Sequence, residues 1–185
     1  MSETPTEKFL ARILSVGAFV TTVFLLTTNV TDPVNAPKLL VLGIVSFAAI
    51  SVVLVSDLRS RLNKQVSVLI LILLFTIQMS ISCITSKSPI SQNLYGVYGR
   101  NNGFFTYIFL VLLFCSAMSL RSLNSFRIIL ISFISAGLIN LSYNLWVLSF
   151  GDFVGWNNPY GNILGTFGNP NFIGAFLGML FSVWL

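Results

Sequence analysis

The sequence predicts an all-α fold, a polytopic transmembrane helix bundle of about six helices with its N-terminus cytoplasmic. Three observations carry that expectation. Hydrophobic residues make up 55% of the chain and charged residues only 8%, with a mean hydropathy of +0.89, a balance foreign to a water-soluble core. Six uncharged runs approach the roughly 20 residues that an α-helix needs to cross a bilayer. The ten Lys and Arg residues are unevenly shared between alternate loops, which orients the bundle.

The first run, Ile13 to Val30, follows Lys8 and Arg12. A basic start before an apolar stretch also describes a secretory signal peptide. "LLTTNVTD" offers no small-x-small cleavage site, so the span is expected to be retained. The second run, Leu39 to Ser56, leads into a basic loop of Arg59, Arg61 and Lys64. The third, Val66 to Ile84, carries Gln78, Ser80 and Ser82 in its later half. The fourth spans Phe104 to Leu120, and the fifth, Ile128 to Phe150, follows Arg121 and Arg127 and holds Asn140, Tyr143 and Asn144. A sixth begins near Gly168 and still runs at Leu185 without a polar flank or helix-ending signal. Residues 1–185 are therefore expected to be the N-terminal part of a single larger membrane domain, its C-terminal half lying beyond them.

With the N-terminus inside, Lys8, Arg12, Arg59, Arg61, Lys64, Arg121 and Arg127 are cytoplasmic, and only Lys38, Lys87 and Arg100 are external. Seven against three obeys the positive-inside rule. The net charge of +5 then records cytoplasmic loops facing anionic lipid; the expected partner is the lipid bilayer, with no nucleic acid.

Several chemistries have no residues to carry them. The chain has no histidine. Cys83 and Cys115 fall at different depths of the bilayer, so neither a disulfide nor a metal site is expected. No Walker loop, dinucleotide fingerprint, nucleophile elbow or internal repeat is present, and no cofactor is expected. The sequon at Asn29 is a short match that arises readily by chance.

The informative pattern lies at the external starts of the second, fourth and sixth spans, each of which carries asparagine. They read "NAPKLL" with Asn35, Pro37 and Lys38, "GRNNGFF" with Arg100, Asn101, Asn102 and Gly103, and "GNPNF" with Asn169, Pro170 and Asn171. Asn is a favoured N-cap and Pro is tolerated in the first turn, so Asn169 is expected to cap, Pro170 to take the first helical position, and Asn171 to keep a free amide. Each feature has a plain structural reading as a cap or a side chain snorkelling to headgroups. Together, helix N-termini and two of the three external cations describe a site for a phosphate-like anion. Polar groups in the outward-running spans fit either interhelical contacts or the lining of a wet cavity. Gly174 and Gly178 form a GxxxG pair, expected to mark a close helix contact. No Asp or Glu lies inside a span, and Asp32 and Asp152 are the external carboxylates.

"APKLLVL", "YGVYGRNNGFFTYI" and "GTFGNPNFIGAFLG", in this order, resemble the N-terminal half of the O-antigen ligase and polymerase superfamily, over roughly Ala36 to Leu185. That resemblance implies a multi-pass glycosyltransferase of the bacterial cytoplasmic (inner) membrane, active in the polysaccharide and lipopolysaccharide biosynthesis of the cell envelope. It implies transfer of a glycan from a polyprenyl diphosphate carrier to a glycan, lipid or protein acceptor on the outer face, without metal or nucleotide sugar. Carried over by residue, Arg100 matches an external arginine that contacts the carrier diphosphate, Lys38 matches a lysine after proline, and Asn169, Pro170 and Asn171 match a helix-start motif. Arg100, Lys38, Asn102, Asn169 and Asn171 form the expected substrate-binding set. The family's external loop with its catalytic histidine would lie beyond residue 185, so the fragment alone is expected to be inactive. A polyprenyl-linked glycan flippase or other transporter is the alternative, and would call for charged sites on the inner half and repeat symmetry that the sequence lacks.

Overall fold

The computed structural model describes residues 3–25, 34–97, 100–154 and 161–182. Asn29, Asp32 and the ends of the first and sixth predicted runs lie outside the described residues. The described residues are all-helical: α1 Pro5–Val23, α2 Asn35–Val55, α3 Leu58–Asn63, α4 Val66–Thr85, α5 Ile90–Tyr95, α6 Phe104–Ala117, α7 Leu123–Phe150, a 3-10 turn Gly165–Phe167, and α8 Pro170–Ser182. Of these, α2, α4 and α7 are long and apolar enough to cross a membrane. At 14 residues α6 extends about 21 Å, shorter than a hydrocarbon core of about 30 Å. The six predicted runs thus correspond to six longer helices, and α3 and α5 are short helices in the connections.

The first helix begins at Pro5, well before the apolar run at Ile13. Thr4 caps it, its Oγ1 accepting from the Glu7 amide at 3.2 Å, and Pro5 fills the first position, where a missing N–H costs nothing. The resulting extra turns carry Glu7 into the bundle, where it is 1% exposed. Its carboxylate accepts from Arg61 Nη1 at 2.5 Å and from the amides of Arg121 and Ser122 at 2.7 and 2.6 Å. Arg61 also donates to the Ser119 carbonyl at 3.2 Å. Ser122 is the N-cap of α7, so Glu7 meets the positive end of that helix. Glu3 adds to the same end, accepting from Asn124 Nδ2 and Ser125 Oγ. Burial alone would raise the Glu7 pKa, but Arg61 and the two amides outweigh it and hold the carboxyl below its ordinary value.

From this clamp α1 and α7 run side by side in the same direction. Ser15 Oγ donates to the Ile128 carbonyl at 3.2 Å, and Ser132 Oγ returns a bond to the Ser15 carbonyl at 2.5 Å. The sequence offset along the pair stays between 113 and 117, which is the signature of parallel helices. Packing against lipid supplies no hydrophobic drive between helices, so close backbone approach and such bonds must hold them. Glycine provides the approach: a Cβ on Gly17 would collide with Val45 of α2, and one on Gly137 with Leu180 of α8. Gly43 of α2 accepts the ring of Phe109 of α6, which also meets Phe47 edge-on at 5.7 Å.

Two apolar clusters result. One, at the clamp end, joins Leu10 and Leu14 of α1, Val53 of α2, Leu58 and Leu62 of α3, and Cys115 of α6. The other joins Ala136 of α7 to Ile173 and Phe176 of α8. α4 contributes no buried residue and lies at the periphery.

The GxxxG expectation is corrected. Gly174 and Gly178 are exposed, and a Cβ on either would meet nothing within 4 Å. α8 turns Ile173, Phe176 and Leu180 towards its neighbours, and the two glycines fall on the other side. The small residue at this contact is Gly137 of the partner helix.

Candidate functional site

The end of the bundle opposite the Glu7 clamp gathers the C-terminus of α1, the starts of α2, α6 and α8, and the 3-10 turn. The last carbonyls of α1 have no intrahelical partner, and the Thr22 carbonyl finds two donors from elsewhere. Lys38 Nζ donates to it at 2.7 Å, and Thr166 Oγ1 at 2.8 Å. A lysine at a helix C-terminus is also favoured by the macrodipole. The same ammonium lies 4.4 Å from the centroid of the Phe167 ring, a cation–π contact. Lys38 thus ties α2 to α1 and to the 3-10 turn, where a snorkelling side chain would have left the protein.

Thr166 is fixed from its other side by Asn140 of α7, which is fully buried. Asn140 Oδ1 accepts from the Thr166 amide at 3.1 Å and lies 2.8 Å from its Oγ1, whose single proton is shared between Asn140 and the Thr22 carbonyl, and Asn140 Nδ2 donates to the Ala136 carbonyl at 3.1 Å. Of the two readings open for this amide, interhelical contact is the one observed. Nearby, Tyr143 donates to Asp152 Oδ1 at 2.6 Å.

Beside Lys38 lies a pocket of about 150 Å3, walled by Thr21 of α1, Asn35, Leu39 and Leu42 of α2, and Arg100, Asn101 and Thr106 at the start of α6. Two of the residues singled out in the sequence, Lys38 and Arg100, therefore share one pocket. Arg100 is exposed, and its guanidinium makes no hydrogen bond or ion pair among the described residues. Asn101 takes the left-handed conformation, φ 44, and Thr106 Oγ1 donates to its carbonyl. Its Nδ2 is buried without a hydrogen-bond partner.

The turn presenting these residues is pinched at its neck. A Cβ on Gly96 would strike the amides of Asn102 and Gly103, and one on Gly103 would strike the Gly96 amide and the Leu94 carbonyl. Gly96 also takes φ 94, which disfavours any side chain. This is the physical content of the two outer glycines in "YGVYGRNNG": they let the chain cross itself closely enough to hold Arg100 and Asn101 against α2.

The remaining predicted residues are placed differently. Asn102 points its Oδ1 to the Val97 amide at 3.3 Å, closing the turn, and lines a separate cavity facing α4. Asn169 caps α8 as expected, its Oδ1 accepting from the Asn171 amide at 2.9 Å, with Pro170 first in the helix. Asn171 is exposed, and its side chain makes no hydrogen bond among the described residues. Neither Asn169 nor Asn171 lines the Lys38–Arg100 pocket; the α8 start reaches Lys38 through Phe167. α2 starts after Val34 and α6 after Gly103, neither with a side-chain cap bond. Thr21, Thr106 and Thr166 were not signalled in the sequence, since threonine in an apolar run reads as an ordinary membrane-helix residue.

Among the described residues the arrangement offers a guanidinium without a hydrogen bond or ion pair and a partly engaged ammonium, with the Asn101 amide beside them. That donor set suits an anion carrying several oxygens. Among the described residues no carboxylate, histidine or thiol lines the pocket. Comparison with protein-family models, with curated proteins and with solved structures finds no match to this chain.

Proposed function

We propose that this chain belongs to a membrane glycosyltransferase of the O-antigen ligase and polymerase type. It would act in the bacterial cytoplasmic membrane, taking a glycan from a polyprenyl diphosphate carrier to an acceptor on the outer face. The observation that supports this reading is the meeting of Lys38, Arg100 and the Asn101 amide at one small pocket on the end of the bundle assigned to the outside by charge.

In this reading the pocket holds the leaving group. As the bond from sugar to diphosphate breaks, negative charge grows on the diphosphate oxygens. A positioned guanidinium binds that charge more strongly than it binds the starting ester. Arg100 supplies a planar fork for two oxygens, and Asn101 a neutral donor beside it. Lys38 adds charge, but its bond to Thr22 gives it a second duty in holding α1, α2 and the 3-10 turn together. Activation of the acceptor hydroxyl needs a general base, and we assign that to a group outside these residues.

The test is glycan transfer from a polyprenyl diphosphate donor by the full-length protein in membranes, with protein level measured alongside. Arg100→Ala is expected to reduce transfer roughly ten- to a hundredfold, since a hydrogen bond to a charged group is worth about 1.5 to 3 kcal/mol. Arg100→Lys restores part of the loss, keeping charge without the fork. Parental transfer by Arg100→Ala at limiting donor would refute the diphosphate role. Loss of donor translocation with no transfer activity in the parent protein would favour a flippase instead.

A further inference from the structure

We infer that the cavity between α4, α5 and the start of α6 is a subsite for uncharged sugar residues. This rests on the reading above only in taking the sugars to be those of the carrier-linked glycan. The cavity encloses about 290 Å3, close to the lower limit of about 300 Å3 for small-molecule sites. Its polar lining is entirely neutral: Ser82, Ser86, Ser88, Gln92, Asn93 and Asn102. Among the described residues no charged side chain borders it. Phe104 supplies an apolar wall.

Hydroxyl and amide groups beside an aromatic ring are what a sugar needs, with its ring of hydroxyls and its apolar C–H faces. Several of these groups have capacity left. Asn93 spends Nδ2 on the Cys83 and Ser88 carbonyls at 3.0 and 3.4 Å, which fixes the side chain and leaves its Oδ1 to accept. Asn102 spends Oδ1 on Val97 and keeps its amino group. The side chains of Ser82 and Gln92 make no hydrogen bond among the described residues.

Position gives the cavity its role. A recess of about 410 Å3 shares Asn101 with the Lys38–Arg100 pocket and Gln92, Gly96 and Val97 with the neutral cavity, so it borders residues of both along the pinched turn. Tyr95, packed on Phe105 at 5.3 Å between ring centroids, lies along it. The cationic end suits a diphosphate and the neutral end the sugars attached to it. Asn101 and Asn102 are adjacent residues that line the two ends.

Cys83 lines the neutral cavity and is a free thiol, so it reports occupancy without any catalysis. The protein, with Cys115→Ser, is reconstituted in nanodiscs to keep sugar-headed detergents away, and alkylated by a maleimide. The additions are neutral di- to hexasaccharides of hexose and N-acetylhexosamine, and, separately, inorganic pyrophosphate. A fitting oligosaccharide should slow Cys83 alkylation about fivefold at about four times its Kd, because labelling follows the unoccupied fraction. Pyrophosphate should leave Cys83 unaffected and should protect a Thr21→Cys probe in the other pocket. Gln92→Ala with Ser82→Ala should abolish the sugar protection, measured as the ratio of the rates with and without sugar in that same variant. No slowing by any oligosaccharide, slowing that survives the double substitution, or slowing by pyrophosphate at Cys83 would overturn the assignment. Failure of pyrophosphate at Thr21→Cys, with sugar protection intact at Cys83, would instead remove the diphosphate reading and leave the sugar subsite standing.

Discussion

Replacing Glu7 with Gln should loosen the end of the bundle farthest from the pocket. The carboxylate is 1% exposed and Arg61 14%, so solvent screens the pair little. Glutamine can still accept from the Arg121 and Ser122 amides, but its amino group would face the Arg61 donors at the 2.5 Å now bridged by Glu7 Oε2. One charge-assisted bond is lost, worth about 1.5 to 3 kcal/mol, and Arg61 is left unpaired, so a loss of about 3 kcal/mol is expected. Arg61→Leu should cost a similar amount, and the double variant less than the sum of the two. Because the folded carboxyl titrates below its ordinary value, its contribution is present above about pH 4.3 and is lost as pH falls through the lower folded value. Unfolding of the reconstituted protein, followed by circular dichroism between pH 3 and pH 7 in steps of about one unit, measures both effects. Glu7→Gln within about 0.5 kcal/mol of the parent at neutral pH, or an additive double variant, would refute the clamp.

Gly137→Leu should force α8 from α7, because even a Cβ there meets Leu180; a fall in melting temperature with Gly174→Leu nearly silent would check the corrected contact face. Thr166→Val removes the hydroxyl whose one proton is shared between Thr22 and Asn140, and should cost about 1 kcal/mol while Asn171→Ala costs little, measured by the same unfolding assay. Cysteine at Gln92 should label with an impermeant reagent in intact spheroplasts and cysteine at Lys64 should not, in a Cys83- and Cys115-free background; the reverse pattern would invert the orientation.

What the sequence disclosed and what it hid divide along the range of the interaction. The α8 start was readable because capping is local: Asn169, Pro170 and the Asn171 amide lie within three residues. The all-helical class and the pairing of loops at two ends follow from apolar runs and charge spacing, and both are seen. The partners of Lys38 were not readable, since Thr22 and Phe167 are distant in sequence and meet it only through packing. Glu7 carries no signal in the sequence. Its burial depends on donors from residues 61, 121 and 122, which no local pattern announces. The glycine motif in α8 named small residues without naming their face; the register of Ile173, Phe176 and Leu180 decides that face, and it turns the pair outward. Asn101 and Asn102 were read as one motif, yet the positive φ at Asn101 sends the two residues to different cavities.

The claim that the Lys38–Arg100 pocket is built for a diphosphate is tested most directly by equilibrium binding of polyprenyl diphosphate, without glycan, to the protein in nanodiscs of neutral lipid. The parent protein should bind, Arg100→Ala roughly ten- to a hundredfold more weakly, and Arg100→Lys between them, with polyprenol lacking phosphate indifferent to all three. Equal affinity of the parent and Arg100→Ala for polyprenyl diphosphate would contradict the account and return Arg100 to the role of a headgroup anchor.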